Sequence, residues 1–360
     1  YKRLFLFALL NIFMIFSKTL THWYSNNKRN LPWRETNNPY YIWLSEVILQ
    51  QTQVKQGLPY YVAFVSKFPT VFELAKADES DVLKLWQGLG YYSRARNLHA
   101  SAKYVANELK GKFPDNYMDL LELKGVGDYT ASAIASICFN EPTAVVDGNV
   151  YRVLSRYFGI DTPINSSKGT KEFKALAQEL IDKKHPAEFN QAIMEFGATQ
   201  CKPKNPYCHI CPFNEGCLAF NNNRIAELPV KIKSAKAKKK HFNFLVFISE
   251  DNKTILEKRE SKGIWQNLYQ FPLIETEKNA NDIEGFNNFL ENHDLLKGIS
   301  FELSLYNKEP ILHKLSHQHL YTQFWVVNVE KLPTEGVSIG KVREFAVPIL
   351  IGNFIESFNF

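Results

Sequence analysis

The chain has 360 residues, 45% hydrophobic and 22% charged, with a formal net charge of +6 and a pI near 8.8. That length exceeds one ordinary core and predicts two domains of unequal size, and the composition is that of a folded globular protein. No stretch approaches the ~20 apolar residues of a membrane-spanning helix, which excludes that class, and the positive balance weakly favours a polyanionic partner.

Residues 1–16 are almost wholly apolar after Lys2 and Arg3. They read as upstream sequence rather than a targeting segment, because no small-residue cleavage site follows, the chain begins with Tyr1, and Met14 precedes a plausible start at Ile15. From about Ser17 to Phe220, apolar residues recur at three- and four-residue spacings, which predicts an all-α domain. Early in that domain Glu46 lies between Leu44 and Val47 in the apolar run 40–49. Burial there raises a carboxyl's pKa, so that it can give a proton to a leaving group; the alternative is a helix-surface acid paired to an arginine.

Farther along, Gly125-Val126-Gly127 sits between an apolar helix end and a helix expected to start near Tyr129. This is a helix–hairpin–helix signature: glycine lets the backbone approach an anion, and free N–H groups at the next helix start point at it, so a DNA phosphate is held without reading sequence. An ordinary packing corner is the alternative. Twenty residues on, Asp147 directly precedes a helix, where an N-cap is its commonest role. Cys138, following Ile134 and Ile137 on an apolar helix, reads as core.

Cys201, Cys208, Cys211 and Cys217 are spaced C-x6-C-x2-C-x5-C. Four thiolates in one loop imply a metal centre and speak against a disulfide framework and export. Zinc competes, although zinc folds favour two short-spaced pairs and only Cys208 and Cys211 form one. Residues 221–240 hold Pro229 and the lysines 231, 233, 236 and 238–240, and fit an exposed basic linker. From His241 onward, alternating apolar segments at 241–250 and 318–329, with a turn at Asp251-Asn252 before 253–258, predict an α+β domain.

Taken together, the two carboxylates, the hairpin and the cysteine loop closely resemble the MutY family of adenine DNA glycosylases, within the endonuclease III-like helix–hairpin–helix superfamily. The resemblance runs from Ser17 to the C-terminus and is most specific at Leu31-Pro32-Trp33-Arg34, at 43–54 with Gln50-Gln51-Thr52-Gln53, and at 88–98 with Gly88-Leu89-Gly90-Tyr91-Tyr92. It implies a helical glycosylase domain at 17–220 with a [4Fe–4S] cluster on the four cysteines, followed by a MutT (Nudix)-like domain at 241–360. It further implies that Glu46 protonates N7 of a flipped adenine and that Asp147 stabilises the sugar, with Tyr129 and Asn149 orienting both. Arg34 and Gln191 then line the adenine pocket, while Gln51 and Tyr91 wedge into the base stack.

Gly125, Val126, Gly127 and Lys202, with Lys204, are the implied phosphate contacts, and the cluster's task is to shape the loop bearing the two lysines. Bifunctional relatives carry a Schiff-base lysine where this chain has Tyr129, which implies a monofunctional enzyme. Lys124 departs from a common proline. In the C-terminal half, Gly263 to Pro272 carries the MutT-like resemblance, yet the acidic metal box is missing after Pro272, so no nucleotide hydrolysis is expected. Leu315-Ser316-His317 resembles the loop that reads 8-oxoguanine, with Leu315 in place of the usual aromatic. The implied partner is double-stranded DNA with A:8-oxoguanine or A:G mispairs, met by a monomer in a bacterial cytoplasm, at the nucleoid.

Overall fold

The computed structural model describes residues 2–233, 236–279, 286, 290, 293–358 and 360. These fall into two compact units: residues 1–76 with 97–233, and residues 77–96 with 234–360.

The first unit is helical, as the three- and four-residue spacing predicts. Helix α1 (Lys2–Asn27) runs unbroken through residue 16, and Phe16 and Leu20 are fully buried, so Phe16 belongs to this unit's core and not to an apolar extension. Among the described residues no helix is long and apolar enough to cross a membrane. Helix α2 (Pro39–Leu49) starts at Asn38, whose side chain accepts the Tyr40 N–H at 2.9 Å, and Pro39 fixes the first turn. Residues 42 to 48 are all buried: a helix apolar on every side is surrounded by protein, and Glu46 is carried in with it.

Helices α3 (Val54–Lys67) and α4 (Val71–Lys76) follow; α5 (Glu79–Leu85) belongs to the second unit, where α6 (Ser93–Asn107) also begins, and α7 (Tyr117–Leu120) leads into the hairpin. Helices α8 (Asp128–Phe139), α9 (Gly148–Phe158), α10 (Ser167–Leu180) and α11 (Pro186–Thr199) complete the frame of the site. Val150, Val153 and Leu154 of α9 meet Phe189, Ile193 and Phe196 of α11 in one core with α1. The start of the expected linker is tied down, since Ile232 N–H donates to Asn165 Oδ1 at 2.8 Å and Ile164 N–H to the Val230 carbonyl at 3.0 Å.

The second unit is built on a mixed sheet in which the strands 273–276, 238–249, 318–329 and 301–305 lie side by side in that order, and 311–314 also pairs 318–329. Strands β1 (Lys238–Ser249) and β8 (Gln318–Val329) run parallel over their full length, flanked by antiparallel β5 (Leu273–Thr276), β6 (Phe301–Leu305) and β7 (Ile311–Lys314). The segment 253–258 divides into β2 (Lys253–Thr254), which pairs β9 (Val337–Ser338), and β3 (Glu257–Lys258), which pairs β4 (Tyr269–Gln270). A C-terminal helix, Ile349–Phe358, stacks Phe354 on Phe324 with centroids 3.9 Å apart.

Residues 77–96, helical in sequence texture, pack within this unit. Glu79 accepts from Asn267 Nδ2 at 2.6 Å, Lys84 Nζ donates to the Arg343 carbonyl at 2.6 Å, and Arg96 Nη1 donates to the Gln266 carbonyl at 2.9 Å. The stretch after Pro272 from which the acidic box is missing runs into 280–285, 287–289 and 291–292, which lie outside the described residues.

Candidate active site and DNA-contact elements

Asp147 is the N-cap of α9: its Oδ1 accepts the Asn149 and Val150 N–H groups, each at 2.8 Å. The cap does not exhaust the carboxylate, because Oδ2 accepts from Asn149 Nδ2 at 2.7 Å. Burial pushes this carboxyl up from its ordinary value, against the three N–H donors and the Arg152 guanidinium, all of which favour the anion. Arg152 holds the local frame, donating Nη2 to Asn149 Oδ1 at 2.9 Å and Nε to the Cys201 carbonyl at 2.7 Å. The cysteine loop and the cap of α9 are thereby joined through one side chain that sequence reasoning passed over.

Glu46 is 8% exposed. Burial, reinforced by the nearby Asp147 charge, pushes it up to about 7, against the Tyr129 hydroxyl and the more distant Arg34. The surface-acid alternative is therefore wrong. Tyr129, on the first turn of α8, presents its hydroxyl to Glu46 and lies 3.2 Å from Met194 Sδ; burial and both carboxylates keep it protonated. The structure thus gathers Glu46, Tyr129, Asp147 and Asn149 from α2, α8 and α9.

A second buried acid stands nearby in a contrasting environment. Glu195 of α11 is 1% exposed yet held down to about 2 by Arg29 and Arg34, which overcome the burial. Two buried glutamates therefore hold opposite protonation states near neutrality, and only Glu46 has a proton to give. Arg34 and Gln191 are both neighbours of Tyr24, a residue the sequence did not single out: Tyr24 donates to Gln191 Oε1 at 2.7 Å, and the Arg34 guanidinium lies 5.5 Å from the Tyr24 ring centre. The signal for Glu195 was the same as for Glu46, a lone acid between apolar neighbours, Met194 and Phe196.

In the hairpin, Gly125 has φ +83°, and a Cβ there would stand 2.7 Å from Asn97 Cβ, so both backbone angle and space demand glycine. Gly127 is free of such crowding and serves as the N-cap of α8, leaving the first N–H groups of that helix turned outward. The backbone carbonyl of exposed Lys124 accepts from Ser101 Oγ at 2.9 Å, which anchors the turn in place of a rigid proline. Gln51 and Tyr91, the two wedge candidates, both have left-handed backbone (φ 57° and 47°) and both are exposed, a strained conformation found where side chains are held out for a task. Ser316 and His317 lie exposed on the β7–β8 turn, and Ser316 Oγ is 2.5 Å from the Tyr91 hydroxyl in the same unit.

Cys201, Cys208, Cys211 and Cys217 line one cavity, closed by Arg156, whose Nη1 is 3.5 Å from Cys201 Sγ. Among the described residues no three such ligands converge closely enough for one ion. Beside the cavity, Lys202 Nζ lies 3.9 Å from the Tyr207 ring centre. Cys138 is a half-buried residue of α8, its thiol pushed up to about 12 by burial.

Comparison with known proteins agrees with this arrangement. Residues 44–183 match the HhH-GPD superfamily of base excision DNA repair proteins, and residues 243–357 match the NUDIX domain. The adenine DNA glycosylase of Buchnera aphidicola subsp. Baizongia pistaciae is 35% identical over 87% of this chain and 86% of its own length. That of Rattus norvegicus is 46% identical over 59% of this chain and 44% of its own. Among solved structures, a thermostable thymine-DNA glycosylase (TM-score 0.54, 30% identity) covers 58% of this chain and 97% of its own. Endonuclease III in a non-covalent DNA complex (TM-score 0.52, 20% identity), covering 59% and 97%, shares the fold. With its helical HhH-GPD domain and C-terminal Nudix-like domain, the chain belongs to the adenine DNA glycosylase family of base-excision repair enzymes, hydrolases of the base–sugar bond.

Proposed function

We propose that the protein is a monofunctional adenine DNA glycosylase that excises adenine mispaired with 8-oxoguanine or guanine in duplex DNA. The observation that carries this reading is the pairing of Glu46, held protonated near neutrality, with Asp147, whose hydrogen bonds favour the anion. Glu46 gives its proton to N7 of the flipped adenine as the N9–C1′ bond breaks. Asp147 stabilises the cationic sugar left behind, and water adds at C1′, passing its proton to the Glu46 carboxylate, to leave free adenine and an abasic site. Tyr129 orients Glu46, and Asn149 does the same for Asp147.

The hairpin glycines and Lys202 hold phosphate, which fixes the duplex without choosing a sequence. Gln51 and Tyr91 fill the stack, and Ser316 and His317 meet the N7 donor and O8 acceptor that separate 8-oxoguanine from guanine. The contact between Tyr91 and Ser316 supports a shared task for wedge and reader. Cys201, Cys208, Cys211 and Cys217 would hold a [4Fe–4S] cluster whose contribution is structural, since hydrolysis has no electron-transfer step. Held there, it would shape the loop that bears Lys202 and Lys204, while Arg152 ties that loop to the Asp147 cap through the Cys201 carbonyl and Asn149. The partner is mispaired DNA in a bacterial cell, at the nucleoid.

Absence of a Schiff-base lysine at position 129 predicts the product. An end-labelled A:8-oxoguanine duplex is expected to stay intact in neutral gels after turnover and to break at the adenine only after alkali. Breakage without alkali would show strand-cleaving chemistry and contradict the monofunctional assignment.

A further inference from the structure

Gln191 and Glu195 are one turn apart on α11 and so share a face. Glu195 takes Arg29 as a two-pronged partner, Nε to Oε1 and Nη2 to Oε2, both at 2.7 Å, and Arg34 Nη2 reaches Oε2 at the same distance. Arg34 Nη1 also donates to the Arg29 carbonyl at 3.0 Å, so this guanidinium is fixed at two of its nitrogens and keeps its remaining N–H groups free of those bonds. Beside Arg34, Tyr24, 4% exposed, donates its hydroxyl to Gln191 Oε1 at 2.7 Å. A tyrosine donating to the amide oxygen selects one of the two amide orientations and turns the NH2 group away from itself.

We infer that Glu195 and Tyr24 are positioning residues for base selection: Glu195 through Arg34, and Tyr24 through Gln191, line the base pocket with fixed N–H donors. The inference rests on adenine being the base removed. Adenine offers ring nitrogens N1 and N3 as acceptors. Hypoxanthine has the same purine frame and N7, yet carries a hydrogen on N1, and a fixed donor meeting that hydrogen leaves both groups unpaired. A pocket whose donors cannot turn rejects hypoxanthine; one whose guanidinium or amide can reorient does not.

The test uses the full chain in single turnover at saturating enzyme, with adenine or hypoxanthine opposite 8-oxoguanine, for wild type, Tyr24→Phe, Glu195→Gln and Glu195→Asp. In Tyr24→Phe and Glu195→Gln the adenine-to-hypoxanthine rate ratio is expected to fall by about tenfold, the size of one discriminating polar contact. Glu195→Asp, which keeps a carboxylate, should restore part of it. A merely structural role would lower both rates together and leave the ratio alone. Tyr24→Phe removes a single hydroxyl and carries the test if Glu195→Gln does not fold. An unchanged ratio in folded Tyr24→Phe overturns the inference alone, whereas a wild-type enzyme that releases no adenine overturns the substrate assignment beneath it.

Discussion

Glu46→Gln should abolish base release, with a single-turnover rate at least about a thousandfold below wild type, because the amide keeps the shape of the side chain and loses the proton it donates. In the wild type the same rate should fall as pH rises through about 7, where Glu46 ionises. Stability moves in the opposite sense for the variant. Burial disfavours the charged carboxylate, so between about 4.5 and 7 the folded chain retains a proton that the unfolded chain has released, and wild-type stability declines across that window. Above it the deficit is about 3 kcal/mol, so Glu46→Gln should melt at a higher temperature than wild type at pH 8, with the gap closing below pH 4.5. Thermal melts at those two pH values check this. An equal melting temperature at pH 8 would mean that Glu46 is not held neutral by the fold.

Asp147→Asn separates two roles that share one side chain. Asparagine caps a helix as well as aspartate does, so helix α9 should keep its start and the melting temperature should not drop. The negative charge is lost, however, and with it the electrostatic stabilisation of the sugar cation, for which a fall on the order of a thousandfold is expected. Asp147→Ala should lose both the rate and about 1 kcal/mol of stability, the usual worth of a cap. A folded Asp147→Asn enzyme with wild-type rate would leave Asp147 a cap and nothing more.

The parts of this site legible in the sequence are those that local chemistry decides. An acid in an apolar helix, as at Glu46, announces burial, and an aspartate directly before a helix, as at Asp147, announces a cap whatever else it does. Glycines that a turn requires, as at Gly125, announce the hairpin, and the strand 318–329 is expected from its apolar run, although 322–327 are buried without a break rather than on alternate sides. What the sequence withheld depends on residues distant along the chain. Glu195 reads as another lone acid until Arg29 and Arg34, more than 160 residues earlier, are placed against it. Tyr24 lies in a helix whose first half reads as upstream sequence, and only its burial beside Gln191 gives it a role. Residues 77–96 carry helical texture, yet their hydrogen bonds go to Asn267 and Arg343 of the Nudix-like half, a preference no local pattern encodes. The strained backbone at Gln51 and Tyr91 is likewise imposed from outside, since neither residue favours a positive φ.

The fold alone does not choose the base, as the likeness to a thymine-DNA glycosylase shows. Single-turnover release of free base from duplexes carrying A opposite 8-oxoguanine, A opposite G and T opposite G therefore tests the central claim most directly. Adenine released fastest opposite 8-oxoguanine, more slowly opposite G, with thymine retained, is the predicted result; preferential release of thymine, or release of no base at all, would contradict it.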